Sequence, residues 1–176
     1  MVQIIDYYWQ GKLGYDIRLD HPGATVEDYR QALKRWLDTA RWHRSRHPEL
    51  SDCAGCNRCC QERIPLTVVD LDKLRQNLSS PPKSVLTAVE MWGHTVVQGP
   101  VVDITLKRLA NGACRFLDPQ SFRCKIYAFR PLVCETFICC PSTSRAQQLR
   151  EAVVNRGEDE LIRQWLLALS AKGVNI

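Results

Sequence analysis

Leu13, Tyr15, Ile17 and Leu19 alternate with Gly14, Asp16 and Arg18. A period of two predicts a strand with one buried face, here paired with residues 3 to 9 across Gln10-Gly11. Beyond His21-Pro22-Gly23 the period lengthens. Val26, Tyr29, Leu33, Trp36 and Ala40 recur on one helical face, and Thr25 with Asp28 forms a capping box, which predicts a helix over about 26 to 45. Thr67 and Asp70 repeat the box before Val68, Leu71, Leu74 and Leu78, and Ser79-Ser80-Pro81-Pro82 ends that helix. Val85, Ala88, Val89 and Trp92 describe a third, short helix, with Gly93 as its expected left-handed cap.

From Val101 the pattern returns to alternation. Val102, Ile104 and Leu106 interleave with Asp103, Thr105 and Lys107, Asn111-Gly112 is a hairpin turn signal, and Ala113 to Leu117 is the expected return strand. Asp118-Pro119-Gln120-Ser121 is a further turn, after which Cys124 to Tyr127 reads as a third short strand. Ser144 with Gln147 caps a long C-terminal helix carrying Leu149, Val153, Leu161, Ile162, Trp165, Leu166 and Leu169, with Gly157 as a candidate break and Gly173 as its end. The expected class is α+β: one compact domain over residues 1–176, mainly helical, with a small antiparallel sheet or hairpin. Its core, about residues 51 to 141, is flanked by the N-terminal strand and helix and by the C-terminal helix.

Composition narrows the class. A hydrophobic share of 45% and a charged share of 24% are those of a globular chain, which excludes disorder, collagen-like repeats and coiled coil. No apolar run approaches the roughly 20 residues that span a bilayer. The opening MVQIIDYYWQ has neither the basic start nor the apolar stretch of a signal peptide, so a cytoplasmic protein away from membranes is expected. The outlier is cysteine, with nine residues all between Cys53 and Cys140. Disulfides require an oxidising compartment and pair off an even number, so in a reducing one the cluster points to metal. A net charge of +5 is mild for a nucleic-acid binder. Thiolates around two metal centres would carry about two negative charges each and bring it to about +1.

Cysteines three apart in a tight turn aim their sulfurs at a common point. Cys53, Cys56 and Cys59 extend that knuckle to C-x-x-C-x-x-C, the spacing with which bacterial ferredoxins present three thiolates to one four-iron cluster. There the remote ligand precedes a proline, as Cys140 precedes Pro141 here. Cys59 and Cys60 are neighbours whose side chains diverge in extended backbone, so one of them serves another site. Cys114, Cys124, Cys134 and the pair Cys139-Cys140 are too widely spaced for a local knuckle, and folding must assemble them.

His43 and His47 stand four apart before the knuckle, but the cysteines suffice and the pair is read as solvated. Arg41, Arg44 and Arg46 around Trp42 fit the basic last turn that a helix dipole favours, and are not read as a nucleic-acid surface. Arg58, Arg63, Arg115, Arg123, Lys125 and Arg130 lie near cysteines, where they either tune thiol pKa and cluster potential or balance thiolate charge. Trp92, Tyr127, Phe129 and Trp165 are expected in the core, keeping the site dry.

Asp52-Cys53 through Cys60 and the run CRFLDPQSFRCKIYAFRPLVC from Cys114 to Cys134 resemble the C-x-x-C-x-x-C-C cysteine-cluster family, also called YkgJ-like, a zinc- or iron-chelating domain. The resemblance runs from Cys53 to about Cys140. It includes Leu66-Thr67 and Asp70, Phe116-Leu117-Asp118, Cys124-Lys125-Ile126-Tyr127 and Arg130-Pro131 before Cys134. It implies a metal or iron–sulfur site held by Cys53, Cys56, Cys59 and Cys60 with Cys114, Cys124, Cys134 and one of Cys139 or Cys140. The family commonly places Arg after the cysteine matching Cys134, whereas Glu135 stands here. One branch resembles flagellin lysine methylases, but this chain has no Gly-rich nucleotide loop, so that activity is not carried over.

No Ser-His-Asp set, acid pair or phosphate loop is visible, so any catalysis would come from the metal. Two readings follow. One is an iron–sulfur protein of the 4Fe-4S type, transferring electrons or sensing redox state with an unidentified redox or protein partner. The other is a zinc-stabilised interaction module without catalysis.

Overall fold

A computed structural model describes residues 2–40 and 56–174. The chain forms two compact units, residues 1–53 with 135–153 and residues 54–134 with 154–176. Five α-helices and two separate antiparallel strand pairs, counted among the described residues, make the class α+β.

In the first unit β1 (Val2–Trp9) pairs with β2 (Lys12–Leu19) in the register Val2 to Leu19 through Trp9 to Lys12. Gln10 and Gly11 turn the chain with φ of 49° and 75°, the two left-handed residues of a tight hairpin. Alternation puts Leu13, Tyr15 and Ile17 on the buried face, where α1 (Val26–Thr39) covers them with Tyr29, Ala32, Leu33 and Trp36. Trp36 lies 5.4 Å from the Tyr15 ring and donates its indole N–H to Asp6 at 2.8 Å. The capping box of Thr25 and Asp28 is present.

The helix ends at Thr39, short of the expected 45. The Thr39 hydroxyl bonds back to the carbonyls of Arg35 and Trp36, and Ala40 is already extended. The expected remainder falls mostly on residues 41–55, outside the described ones. Residues 141–143 run beside β2 through Tyr15 N–H to Pro141 O and Thr143 N–H to Tyr15 O. The long helix α5 (Ser144–Ser170) then starts. Its cap is Thr143 rather than Ser144: the Thr143 hydroxyl accepts the Ala146 N–H and donates to Asp16.

In the second unit α2 (Val68–Asn77) follows the predicted box of Thr67 and Asp70, and α3 (Val85–Trp92) starts at a box of Ser84 and Thr87. Gly93 is not a left-handed cap. Its φ of −94° and ψ of 151° are extended, and it opens β3 (Gly93–Gln98) with no intervening loop. β3 pairs with β4 (Val101–Leu106) through a turn at Gly99, so the partner of the alternating strand lies upstream, not at Ala113 to Leu117. The other edge of β4 is taken by residues 64–66, through Leu66 N–H to Ile104 O and Leu106 N–H to Ile64 O.

Asn111-Gly112 does reverse the chain, but the return is reduced to one bridge, Arg108 to Cys114. The expected third strand is likewise one bridge, Leu117 to Cys124, followed by a 3-10 turn at Tyr127–Phe129. α4 (Leu132–Thr136) carries Cys134.

α5 runs unbroken through Gly157. A Cβ there would stand 2.8 Å from the Cβ of Thr67, so the glycine admits close packing rather than a break. The helix closes on Gly173 with φ 74°, Gly173 N–H to Ser170 O and Val174 N–H to Leu169 O, a Schellman end. Leu66, Leu71, Leu74, Trp92, Ile104, Leu106 and Leu161 form the core, with Cys114 among them. Among the described residues no helix is long and apolar enough to cross a membrane.

Candidate metal centre

Cys53 lies outside the described residues, as do His43, His47, Arg41, Trp42, Arg44 and Arg46. Cys56 and Cys59 are half-buried, and Arg58–Gln61 forms a 3-10 turn in which Cys60 N–H bonds to Asn57 O at 2.9 Å. The divergence expected of Cys59 and Cys60 assumed extended backbone, whereas both lie within this turn.

The backbone of Cys60 then meets the remote set: its carbonyl accepts the Cys114 N–H at 2.9 Å. Cys114 follows the Asn111-Gly112 turn, Cys124 is bridged to Leu117, and Cys134 sits on α4. Cys60, Cys124 and Cys134 all pack against the apolar core that contains Cys114. The second unit thus gathers residues far apart in the chain. None of the eight described cysteines is in a disulfide.

Burial controls their chemistry. It raises the Cys114 thiol, with the neighbouring Cys124 acting in the same direction. Burial pushes the Cys134 thiol well above the ordinary range, and Cys114, Asp70 and Cys60 add to the effect while Arg130 opposes it. These thiols are near enough for each charge to penalise the next, so a bare thiolate set there is unfavourable. A soft cation would reverse that penalty, and sulfur donors in apolar surroundings fit zinc or an iron–sulfur cluster. Among the described residues no three His, Cys, Asp or Glu side chains are grouped as they would be around an ion.

Cys139 and Cys140 belong to the first unit. Cys140 is buried and its thiol is pushed up to about 12, by burial first and by Cys139 second.

Asp70 is a site residue whose full role spacing did not reveal. It is 1% exposed on the apolar face of α2. One carboxylate oxygen accepts the Thr67 N–H and hydroxyl, and the other accepts the Leu132 N–H at 2.6 Å. Lys73 approaches within 3.7 Å of Asp70 and donates to Arg130 O at 2.8 Å. Together they fix Arg130-Pro131-Leu132, the entry to the helix bearing Cys134. The detectable signal was an acid on a helix face otherwise made of leucines.

The cations divide. Arg130 lies 4.2 Å over the Tyr127 ring and lowers the Cys134 thiol, and Arg108 does the same for Cys114. Arg63 instead pairs with Asp103 and reaches Glu158 at 3.6 Å, while Arg115 donates to Met91 O. Trp92 is buried, and Phe129 and Trp165 pack partly buried against the core. Tyr127 is 51% exposed and is not a core aromatic. Glu135, which follows Cys134, makes a two-point ion pair with Arg30 of α1, at 2.8 and 3.0 Å within the first unit.

Comparison with curated proteins and with solved structures gave no significant match. Residues 52–158 match the family model CxxCxxCC, described as "Putative zinc- or iron-chelating domain". The match reaches past Cys140 to the Gly157 contact with Thr67. It spans more than half of the 176 residues, and the chain belongs to the CxxCxxCC family of metal-chelating domains.

Proposed function

We propose that the cysteines hold an iron–sulfur cluster used for electron transfer or redox sensing. The observation that carries this reading is the placement of Cys60, Cys114, Cys124 and Cys134 against one apolar core, in the unit that also contains Cys56 and Cys59 of the C-x-x-C-x-x-C-C run. Cys53 completes the run, and a remote cysteine is the proposed further ligand. A bound cluster would supply reversible one-electron chemistry. The chain's own residues would set its surroundings: Leu117, Ile126 and Phe129 exclude water, Arg130 and Arg108 place positive charge beside the sulfurs, and Asp70 orients the segment carrying Cys134. The partner is an unidentified redox protein in a reducing compartment.

Reductive titration of anaerobically purified protein tests this reading. Visible absorption that bleaches reversibly with dithionite, together with a paramagnetic signal in one oxidation state, is expected. A colourless protein that binds zinc and unfolds when a strong chelator removes it would overturn the proposal and leave a structural zinc module.

A further inference from the structure

The first unit contains a cavity of about 160 Å³ lined by Tyr15, Phe137, Cys139, Cys140, Gln147 and Arg150, among others. That is well below the roughly 300–1,000 Å³ of pockets for organic ligands, so an occupant has only a few heavy atoms. The lining is rich in donors: a phenol, a carboxamide, a guanidinium and thiols, with no carboxylate among the lining residues.

The guanidinium is the unusual member. Arg150 is 22% exposed and stands 5.3 Å from the Phe137 ring. Among the described residues it makes no hydrogen bond, and the one carboxylate within 4 Å is Glu151 at 3.9 Å, itself 62% exposed. Arg30, also half-buried, is better served: it holds Glu135 through two contacts and Glu27 through a third. Tyr15 is backed by the buried Tyr29 in the same core. The Gln147 amide is held only by long bonds to Ser142, at 3.3 and 3.4 Å, and so is easily released to another acceptor. A guanidinium fork without a matched acid, in a small donor-lined cavity, is complementary to an oxyanion.

We infer that this cavity is a binding site for a small oxyanion, held by Arg150 with the Tyr15 hydroxyl and the Gln147 amide. The site uses only residues of the first unit and does not depend on which metal the cysteines carry. Its position beside Cys139 and Cys140 puts the anion next to two thiols.

Calorimetric titration of the full chain, as purified with its metal, tests the inference, with inorganic phosphate, sulfate and acetate as separate probes at constant ionic strength in chloride. Saturable one-site binding of at least one probe is expected, and the preferred probe tells a tetrahedral anion from a carboxylate. Arg150→Gln is expected to weaken binding about tenfold or more, and Gln147→Leu, which leaves the cation in place, by a few-fold. Arg150→Lys, which keeps the charge but not the fork, falls between wild type and Arg150→Gln. If no probe saturates with the wild type, or if Arg150→Gln binds as the wild type does, the site does not exist. Should Arg150→Gln fail to fold, unchanged affinity in both Gln147→Leu and Arg150→Lys overturns the inference on its own.

Discussion

The two units meet the same chemical demand, satisfying buried polar groups around a small core, by different means. In the first, regular elements do most of it. A full hairpin ladder and a capped helix leave few backbone groups unpaired, and the rest are pinned by Trp36 to Asp6, by Arg30 to Glu135, and by Thr143 and Arg145 to Asp16. In the second, residues 107–131 hold only isolated bridges and one 3-10 turn. Segments without regular structure beyond about 12–15 residues are uncommon in compact domains unless they serve a function. This one carries Cys114 and Cys124 and leads into Cys134. A segment that forgoes ladder hydrogen bonds while placing thiols against a core needs another source of order, which the proposed sulfur ligation would supply.

Metal removal is therefore the sharpest way to separate the units. Ligation energies of structural sites in small zinc domains are on the order of 10 kcal/mol, comparable to a domain's whole stability. Stripping the metal, or the substitution Cys134→Ser, is expected to abolish amide hydrogen-exchange protection over residues 107–134 while β1, β2 and α1 keep theirs. Equal loss in both would show that the first unit has no independent stability.

The next largest effect is expected at Asp70. Asp70→Ala removes the carboxylate that accepts the Leu132 N–H and stands beside Lys73, which costs about 3–5 kcal/mol by analogy with broken buried pairs. Asp70→Asn keeps an acceptor and costs less, about 1–3 kcal/mol. Urea denaturation measures both, and metal content should fall with them because the Cys134 helix loses its anchor. Full metal content in Asp70→Ala would show that the anchor is dispensable.

Gly157→Ala tests the packing of α5 on Thr67. Helix propensity alone would favour alanine by about 1 kcal/mol. The 2.8 Å approach to the Thr67 Cβ outweighs it, and a net loss of about 1–2 kcal/mol is expected. A raised melting temperature would mean that the helix shifts freely.

The smallest effect has opposite signs in the two units. Asp16 is held at about 2 against an ordinary 3.8, chiefly by its hydrogen bond from Arg145. That contribution to the first unit is present above about pH 4 and is lost as pH falls toward 2. Glu158 is raised to about 7 from 4.5, first by burial and then by its hydrogen bond to Asp103, with Asp159 adding repulsion and Arg63 opposing. Its contribution to the second unit is fully present below about pH 4.5 and is lost as pH rises through 7. Glu158→Gln should flatten the exchange-protection slope of the second unit between pH 5 and 7, and Asp16→Asn that of the first between pH 4 and 2. An unchanged slope in either variant removes that residue from the account.

What could be read from the chain alone divides along the same line. The β1–β2 hairpin and the boxes at Thr25 and Thr67 were legible because each depends on residues a few places apart. β3 was missed because α3 passes into it at Gly93 without a loop, so a glycine that looked terminal is the first residue of a strand. The Asn111-Gly112 turn was legible, but not that residues 64–66 already occupy the edge of β4 its return strand would need. Gly157 looked like a break because its reason, the side of Thr67, is ninety positions away. The metal chemistry was legible in the cysteine spacing. The allotment of Cys139 and Cys140 to one unit and of the six from Cys56 to Cys134 to the other was not, since only the fold makes it.

The proposed iron–sulfur cluster would organise the cysteine unit. The most direct test counts iron, zinc and acid-labile sulfide per chain in protein purified without oxygen, for the wild type and for Cys134→Ser. The account predicts about four irons and four sulfides per wild-type chain and a marked loss of both in the variant. Stoichiometric zinc without sulfide, or iron and sulfide undiminished in Cys134→Ser, would contradict it.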